Sequence, residues 1–180
     1  NNLFQSIKSV QLNEKLYSLD YWPSIGSKQE KDILNKILDC SKTIKDLTSK
    51  KQTYQLYIPN STRYFISAVH EDLNRGQKVL SFEDSKYRDL VQVLLNSDFF
   101  YWYWRITDGG FSVSLGTLNG LPLPSEKIVL DMQTSISRIA RKIRSQKVMN
   151  YCRVIKSNKG DKINYKFGKD NKLMNEIDDL

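Results

Sequence analysis

Metal ligands and partners for a nucleophile are scarce in this sequence of 180 residues. It has one histidine, His70, and two cysteines, Cys40 and Cys152, which form no CxxC pair. A structural zinc site takes about four Cys or His ligands, so these residues cannot build one. A serine nucleophile would depend on His70 as its base, and no GxSxG elbow accompanies it. The phosphate-binding loops GxGxxG and GxxxxGKS/T are also missing. We therefore predict no catalytic residue, cofactor site or metal site in this segment.

Long hydrophobic runs are missing as well. No run of about 20 apolar residues could span a bilayer, and no secretory signal opens the chain. These absences predict a cytoplasmic protein with free thiols and no membrane partner. The sequence starts at Asn1 without methionine and stops at Leu180 within a helical pattern. We therefore expect a segment of a longer protein, whose catalytic domain could lie outside it.

Acidic residues are the scarcer charge, with 20 Asp and Glu against 28 Lys and Arg. The net charge of +8 and the pI near 9.4 favour a polyanionic partner, most often nucleic acid. The alternative is a basic surface that is only solvated, because charge balance by itself specifies no partner. A hydrophobic fraction of 39% with 27% charged residues is typical of a globular chain.

Aromatic residues, in contrast, are concentrated in one run of six, Phe99–Trp104. Each ring can bury about 150–250 Å², so no other segment can supply as much apolar area. A run without a polar gap cannot keep one helical face in water, and we expect it to be core. The alternative is a platform on which single-stranded bases stack. Ser97 is placed to cap a helix that holds the run, and Asp108-Gly109-Gly110 to end it.

Further helices are indicated by capping residues and by apolar positions at the 3.6-residue period. Capping boxes at Ser27–Glu30 and Thr43–Asp46 start two helices. Ser81 with Asp84 is a candidate cap for a third, in which positions 87, 90, 91, 94 and 95 share one apolar face. Ser125 opens the longest helix, whose apolar stripe steps by three and four residues and whose other faces are basic.

Strands are predicted where apolar residues alternate with period 2. Residues 54–58 and 64–68 alternate on either side of Pro59–Thr62, which predicts a β-hairpin whose polar tip carries Arg63. Three further segments show the same alternation: 78–82, 111–115 and, weakly, 163–167.

The predicted fold class is α+β, with a small mixed sheet, flanking helices, a central aromatic-rich helix and a long basic C-terminal helix. Residues 1–26 are expected to lead in from a preceding domain. Residues 27–124 form the core, and residues 125–180 complete the domain with the long helix and a C-terminal strand and tail.

Side chains that could bind DNA lie in the predicted tip, the loops and the long helix. Lys and Arg suit phosphates, whereas Asn and Arg are also suited to base edges. The candidates are Asn60, Ser61, Thr62, Arg63, Asn74, Arg75, Lys78, Arg105, Thr107, Asp108, Arg138, Arg141, Lys142 and Arg144. For any single residue a solvated side chain is the simpler interpretation, but the set favours binding.

One acidic pattern suggests a different function. Asp72, Asp84 and Lys86 loosely match the D…(D/E)xK pattern of nucleases in which two acids hold Mg²⁺. The helix dipole offers a simpler explanation for Asp84, because acidic residues favour a first helical turn.

The order of the motifs resembles a known family. YIPNSTRY at 57–64, LLNSDFFYWYW at 94–104, DGGF at 108–111, LNGLPLP at 118–124, and INY and NEID in the tail follow one another. This series resembles the TaqI-like C-terminal specificity domain, the target recognition region of adenine-specific DNA methyltransferases and fused restriction-modification enzymes. The LPLP element before a long helix is also similar to the specificity subunits of Type I restriction enzymes.

The resemblance implies a domain that selects the DNA sequence while another domain performs methyl transfer or cleavage. The family's catalytic (N/D)PP(Y/F) motif and glycine-rich cofactor motif are missing here. S-adenosylmethionine, with magnesium as a further candidate, is therefore expected for the parent enzyme and not for this segment. The expected partners are double-stranded DNA and the catalytic domain of the same polypeptide.

We therefore predict a sequence-specific module of a bacterial restriction-modification enzyme that enters the major groove. The hairpin tip, the loop 69–78 and the turn 107–110 would contact bases and backbone. The basic face of the long helix would contact phosphates or dock the catalytic domain. Two alternatives remain open, a magnesium-dependent nuclease domain and a protein-protein module that pairs through the helix 125–150.

Overall fold

The computed structural model describes residues 22–61, 66–74, 76–145, 152–156, 158, 160–165 and 171–180. Within these residues the chain forms seven helices and two small antiparallel sheets, which confirms the predicted α+β class. In chain order the elements are α1 Lys28–Leu38, α2 Ile44–Leu47, β1 Tyr54–Pro59, β2 Gln77–Phe82, α3 Ser85–Leu95, α4 Asp98–Thr107, α5 Leu115–Gly120, α6 Glu126–Ser145, β3 Cys152–Ile155, β4 Lys162–Tyr165 and α7 Asn171–Asp178. None of these helices is long and apolar enough to cross a bilayer.

The strand β1 pairs with β2 along its whole length, with Tyr54 opposite Phe82. The sequence predicts both strands, but it pairs β1 with the residues that return from the tip. That return segment meets β1 at a single bridge, where the Tyr57 N–H donates to the Val69 carbonyl at 2.6 Å. Tyr64, at the start of the predicted second strand, lies outside the described residues. The strands β3 and β4 form the second antiparallel pair.

A buried amide bonds the backbone of Ala68, in the described part of the return segment. Asn96 is 1% exposed. Its Oδ1 accepts from the Ala68 N–H at 3.2 Å, and its Nδ2 donates to the Ala68 carbonyl at 3.0 Å. Gln92 Nε2 donates to the same carbonyl at 3.3 Å. Side chains from the C-terminal end of α3 therefore satisfy backbone groups that a neighbouring strand would otherwise pair.

The aromatic helix α4 lies in the larger hydrophobic core. Ser97 caps it as predicted, because its hydroxyl accepts from the Phe100 N–H at 3.2 Å. Phe100, Tyr103 and Trp104 are all buried. The Trp104 indole N–H donates to the Ser112 carbonyl at 3.1 Å, so its polar atom is satisfied within the fold. The prediction of core is confirmed for these rings, whose faces are not accessible to stacked bases.

The predicted strand over Phe111–Leu115 is wrong. Leu115 begins the short helix α5, which Ser114 caps by accepting from the Thr117 N–H at 3.0 Å. Asp108 Oδ2 accepts from the Ser114 N–H at 2.7 Å and from the Thr117 hydroxyl at 2.8 Å. These bonds fix the start of a helix where the apolar alternation predicts a strand.

The long helix α6 packs part of its apolar stripe against α3 and α7. The buried residues of this second core include Val93 of α3, Ile136, Ile139, Ala140 and Ile143 of α6, and Leu173, Met174 and Ile177 of α7. The C-terminal part of the stripe is therefore used inside the domain, as the sequence predicts. This packing also fixes which basic residues of α6 face its neighbours and which face solvent.

Candidate nucleic-acid interface

Three of the predicted recognition segments meet at one edge of the molecule. The Asn60 N–H, directly after β1, donates to the Gly76 carbonyl at 3.0 Å, and Lys78 Nζ donates to Asn60 Oδ1 at 2.9 Å. Ser61 forms an isolated antiparallel bridge with Ser112, in the loop that follows α4. We call this edge the tip surface and define it by Asn60, Ser61, Lys78, Arg105 and the loop 109–112.

The loop that leads into β2 is held by its own side chains. Asp72 Oδ1 accepts from the Asn74 N–H at 2.8 Å and from Gln77 Nε2 at 2.7 Å. Gln77 Oε1 accepts from the Leu73 N–H at 2.9 Å. Asn74 adopts a positive φ of 49°, a conformation that asparagine tolerates better than most residues. The loop therefore presents Asn74 to solvent on a backbone that is ordered by hydrogen bonds.

The end of the aromatic helix places Arg105 on the tip surface. Gly109 and Gly110 both have positive φ, 66° and 74°, as the end of a helix often requires. The Arg105 side chain lies across Gly110 so closely that a Cβ there would be 2.5 Å from Arg105 Nη1. Any larger residue at position 110 would displace the guanidinium. Arg105 is exposed and has no ion-pair partner among the described residues.

Two predicted contact residues of this turn have roles within the fold. The Thr107 hydroxyl donates to the Tyr103 carbonyl at 2.8 Å, one helical turn back. The Asp108 carboxylate accepts from Ser114 and Thr117, which connects the end of α4 to the start of α5. These contacts shape the loop that carries the tip surface.

Phe111 is a residue of this surface that the sequence analysis assigns to a strand instead. It is 89% exposed, the highest fraction among the described large hydrophobic side chains that are exposed. Its position directly after two glycines that end a helix is a signal for an exposed turn. The alternation of Phe111 with Val113 and Leu115 obscures that signal, because it imitates a half-buried strand.

The basic residues of α6 differ in whether an acidic side chain pairs with them, and in which one. Arg138 Nη1 and Lys142 Nζ both donate to Glu176 of α7, at 3.0 and 2.7 Å. These hydrogen bonds, chiefly that from Lys142, lower the pKa of the Glu176 carboxyl. Arg144 Nη1 donates to Asp89 Oδ1 of α3 at 2.6 Å.

Arg144 therefore forms an ion pair with Asp89 inside the fold, and its side chain is only 22% exposed. Arg88 pairs with the same Asp89 carboxylate at 2.7 Å. Arg138 and Lys142 keep more exposure while they share one acid. Arg141 is exposed and has no ion-pair partner among the described residues. Of the four predicted residues of this helix, Arg141 is therefore the one whose charge is not offset by an acidic side chain among the described residues.

Three predicted contact residues, Thr62, Arg63 and Arg75, lie outside the described residues. Their neighbours in sequence, Ser61 and Gly76, belong to the tip surface or contact it.

The acids of the nuclease pattern have local structural roles. Asp84 itself is the N-cap of α3, since its carboxylate accepts from the Lys86 N–H at 2.8 Å, and Ser81 instead lies in β2. That hydrogen bond is the main reason that the pKa of Asp84 is lowered. Lys86 Nζ lies 3.3 Å from the same carboxylate. Asp72 orders the loop before β2. The described part of the chain has no group of three or more His, Cys, Asp or Glu side chains arranged for a metal ion.

Comparison of the chain with protein-family models, with curated proteins and with solved structures found no match. The contacts nevertheless give several of the motif residues a physical role. Asn96 bonds the backbone of Ala68, and Ser97 caps the aromatic helix. In the LPLP element Leu121 and Leu123 are buried, and the Leu123 N–H donates to the Lys42 carbonyl at 2.8 Å. These motif residues therefore build the scaffold that carries the tip surface.

Proposed function

We propose that this chain is a target recognition module that binds double-stranded DNA sequence-specifically. In this proposal a separate domain of the same polypeptide, acting in the bacterial cytoplasm, performs methyl transfer or cleavage. S-adenosylmethionine, with magnesium as a further candidate, would bind that other domain. The observation that carries the proposal is that the Ser61–Ser112 bridge joins the segment with the Lys78–Asn60 hydrogen bond to the loop on which Arg105 lies.

The chemistry of the tip surface suits base edges flanked by phosphates. The Arg105 guanidinium can donate two parallel hydrogen bonds to a guanine, or to a phosphate. The Asn60 Oδ1 already accepts from Lys78, so Nδ2 is the group with which this side chain would donate to a base acceptor. Lys78 would supply positive charge beside the same base pair. Thr62, Arg63 and Arg75, which lie outside the described residues, stay predicted contacts on the evidence of the sequence alone.

The helix α6 would contribute less to DNA binding than the sequence analysis proposes. Arg141 could contact a phosphate without breaking an existing contact. Arg138 and Lys142 share Glu176, so their two positive charges are offset by one negative charge. A DNA contact by Arg144 would remove one of the two arginines that pair with the Asp89 carboxylate, whose side chain is 8% exposed. We therefore assign base selection to the tip surface and a phosphate contact to Arg141.

Two exposed apolar side chains of α6, Ile128 and Leu130, are the observation that would favour the pairing alternative. Pairing through the helix 125–150 would have to use residues outside the part of the stripe that already packs on α3 and α7. A nuclease would have to draw Asp84 away from the α3 cap.

Removal of charge from the tip surface tests the proposal. Arg105→Ala should weaken duplex binding by about 1–3 kcal/mol if the guanidinium contacts a base, and relax selectivity at one position. Lys78→Ala should weaken binding similarly for all sequences and reduce the salt slope by about one. Fluorescence anisotropy with labelled duplexes over a range of salt concentrations measures both effects.

Lys51→Ala is the matched control, because it removes one positive charge beyond the opposite end of β1. The six residues of that strand make five steps of 3.3 Å, a distance of about 17 Å between its ends. Among the described residues Lys51 forms an ion pair only with exposed Glu83, so its loss should barely change the stability. Equal losses of affinity for Lys51→Ala and Arg105→Ala would contradict the assignment of the site.

A further inference from the structure

Phe111 is exposed although the loop around it is well anchored. Its side chain is 89% exposed. On one side Gly110 lies beneath the Arg105 side chain. On the other side Ser112 accepts from the Trp104 indole at 3.1 Å and pairs with Ser61. The exposure of the ring is therefore a consequence of a defined backbone path, which presents the ring on the surface to which DNA binding is assigned.

The residues on either side of this ring are small. Gly109 and Gly110 precede it, and a Cβ built on Gly109 would meet nothing within 4 Å. Ser112 follows, so Phe111 is the one bulky side chain between Gly109 and Ser112. A single apolar ring among small neighbours has the shape of a wedge, and basic Arg105 is adjacent to hold a phosphate.

We propose that Phe111 inserts between two adjacent base pairs of the bound duplex and unstacks them. This inference rests on the proposed function and adds a mode of recognition to it. Insertion would cover the exposed ring with base faces and kink the DNA, with Arg105 beside the opened step. Pyrimidine–purine steps unstack most easily, so Phe111 would select for such a step without hydrogen-bonding to a base.

The test begins with selection of short random-sequence duplexes by the wild-type chain. The selected duplex is then synthesised with 2-aminopurine placed at one position after another. The fluorescence of this base rises when its neighbours no longer stack on it. We expect a rise confined to one pyrimidine–purine step with the wild-type chain and with Phe111→Tyr, and no rise with Phe111→Ala. We also expect Phe111→Ala to weaken binding by about 5- to 150-fold, the usual range for the loss of one stacked ring.

Leu130→Ala is the matched control, since Leu130 on α6 is another large apolar side chain and is 61% exposed. It should leave affinity and fluorescence unchanged. The thermal midpoint of Phe111→Ala should equal that of the wild type, because the ring makes few contacts within the fold.

The outcomes separate this inference from the function on which it rests. Wild-type binding with no fluorescence rise at any step, or unchanged affinity of Phe111→Ala, would overturn insertion and leave the proposed function standing. Loss of affinity on Phe111→Ala without any fluorescence rise would also overturn insertion, because the ring would then contact the DNA surface only. Failure of the wild-type chain to bind or enrich any duplex would contradict the proposed function, and the insertion with it.

Discussion

Replacement of Asn96 by alanine should destabilise the fold more than any loss of a surface contact. The Asn96 side chain makes three hydrogen bonds in a buried position: from the Ala68 N–H, to the Ala68 carbonyl and, at 2.7 Å, to the Gln92 carbonyl. In Asn96→Ala the Ala68 carbonyl keeps Gln92 Nε2 as a donor, but the Ala68 N–H has no replacement acceptor.

The size of the effect follows from these contacts. A buried donor without a partner costs about 1–3 kcal/mol, and the lost hydrogen bonds and the small cavity add to this. We therefore expect the free energy of unfolding to fall by about 2–4 kcal/mol. Asn96→Asp should be similarly destabilising, because a carboxylate can accept from the Ala68 N–H but cannot donate to the Ala68 carbonyl.

Urea denaturation followed by tryptophan fluorescence measures the change, since Trp104 lies in the core. Asn119→Ala in α5 is the matched control, an asparagine that is only half-buried, and it should change the free energy of unfolding by less than about 0.5 kcal/mol. A loss below about 0.5 kcal/mol for Asn96→Ala would refute the view that this amide replaces a neighbouring strand.

Two further predictions concern charges. The pKa of Glu30 is held below its ordinary 4.5, chiefly by the Gly26 N–H; burial opposes this, and the hydrogen bond from the Trp102 indole lowers the pKa further. The ionised carboxylate therefore stabilises the fold above that pH, and this stability is lost as the pH falls through the lowered pKa. Thermal melts below about pH 4.5 should show a shallower loss of stability for Glu30→Gln than for the wild type, and equal slopes would contradict this. Arg144→Ala should cost about 1–3 kcal/mol in urea denaturation, less than a fully broken buried pair because Arg88 still contacts Asp89. A cost near zero would show that Arg144 is free to bind DNA.

The local features of the fold could be predicted from the sequence because they depend on residues a few positions apart. The Ser27 hydroxyl accepts from the Glu30 N–H at 3.1 Å, and the caps at Thr43 and Ser97 also form where the residue types indicate. Three rings of the aromatic run are buried and the other three pack against the same core, because six adjacent rings leave a helix no polar face.

Features that depend on distant residues could not be predicted in this way. Asn96 bonds to Ala68 across 28 positions, and Arg144 bonds to Asp89 across 55. Neither contact alters the spacing of apolar residues from which helices and strands are predicted. The first satisfies backbone groups of Ala68 that a neighbouring strand would otherwise pair, and the second pairs with an acid a basic residue that the sequence assigns to DNA.

The segments of the candidate site could be predicted from the sequence, but their arrangement into one surface could not. Turn residues and basic side chains identify the tip, the loop before β2 and the turn after α4 as separate pieces. Their convergence depends on the Lys78–Asn60 hydrogen bond and on the Ser61–Ser112 bridge, both long-range contacts. Phe111 was assigned to a strand because the alternation of apolar residues reports only their period. It carries no information on the hydrogen bonds that Asp108 accepts from Ser114 and Thr117, which fix the start of α5.

The most direct test of the central claim is the affinity of the unmodified chain for duplex DNA as a function of sequence and salt. The chain should enrich one short sequence from random duplexes and bind it more tightly than a scrambled duplex of equal length. Its binding should weaken steeply as salt rises, with a log–log slope of about −0.9 for each phosphate contacted. Equal affinity for selected and scrambled duplexes would contradict sequence recognition, and no measurable affinity at low salt would contradict DNA binding altogether.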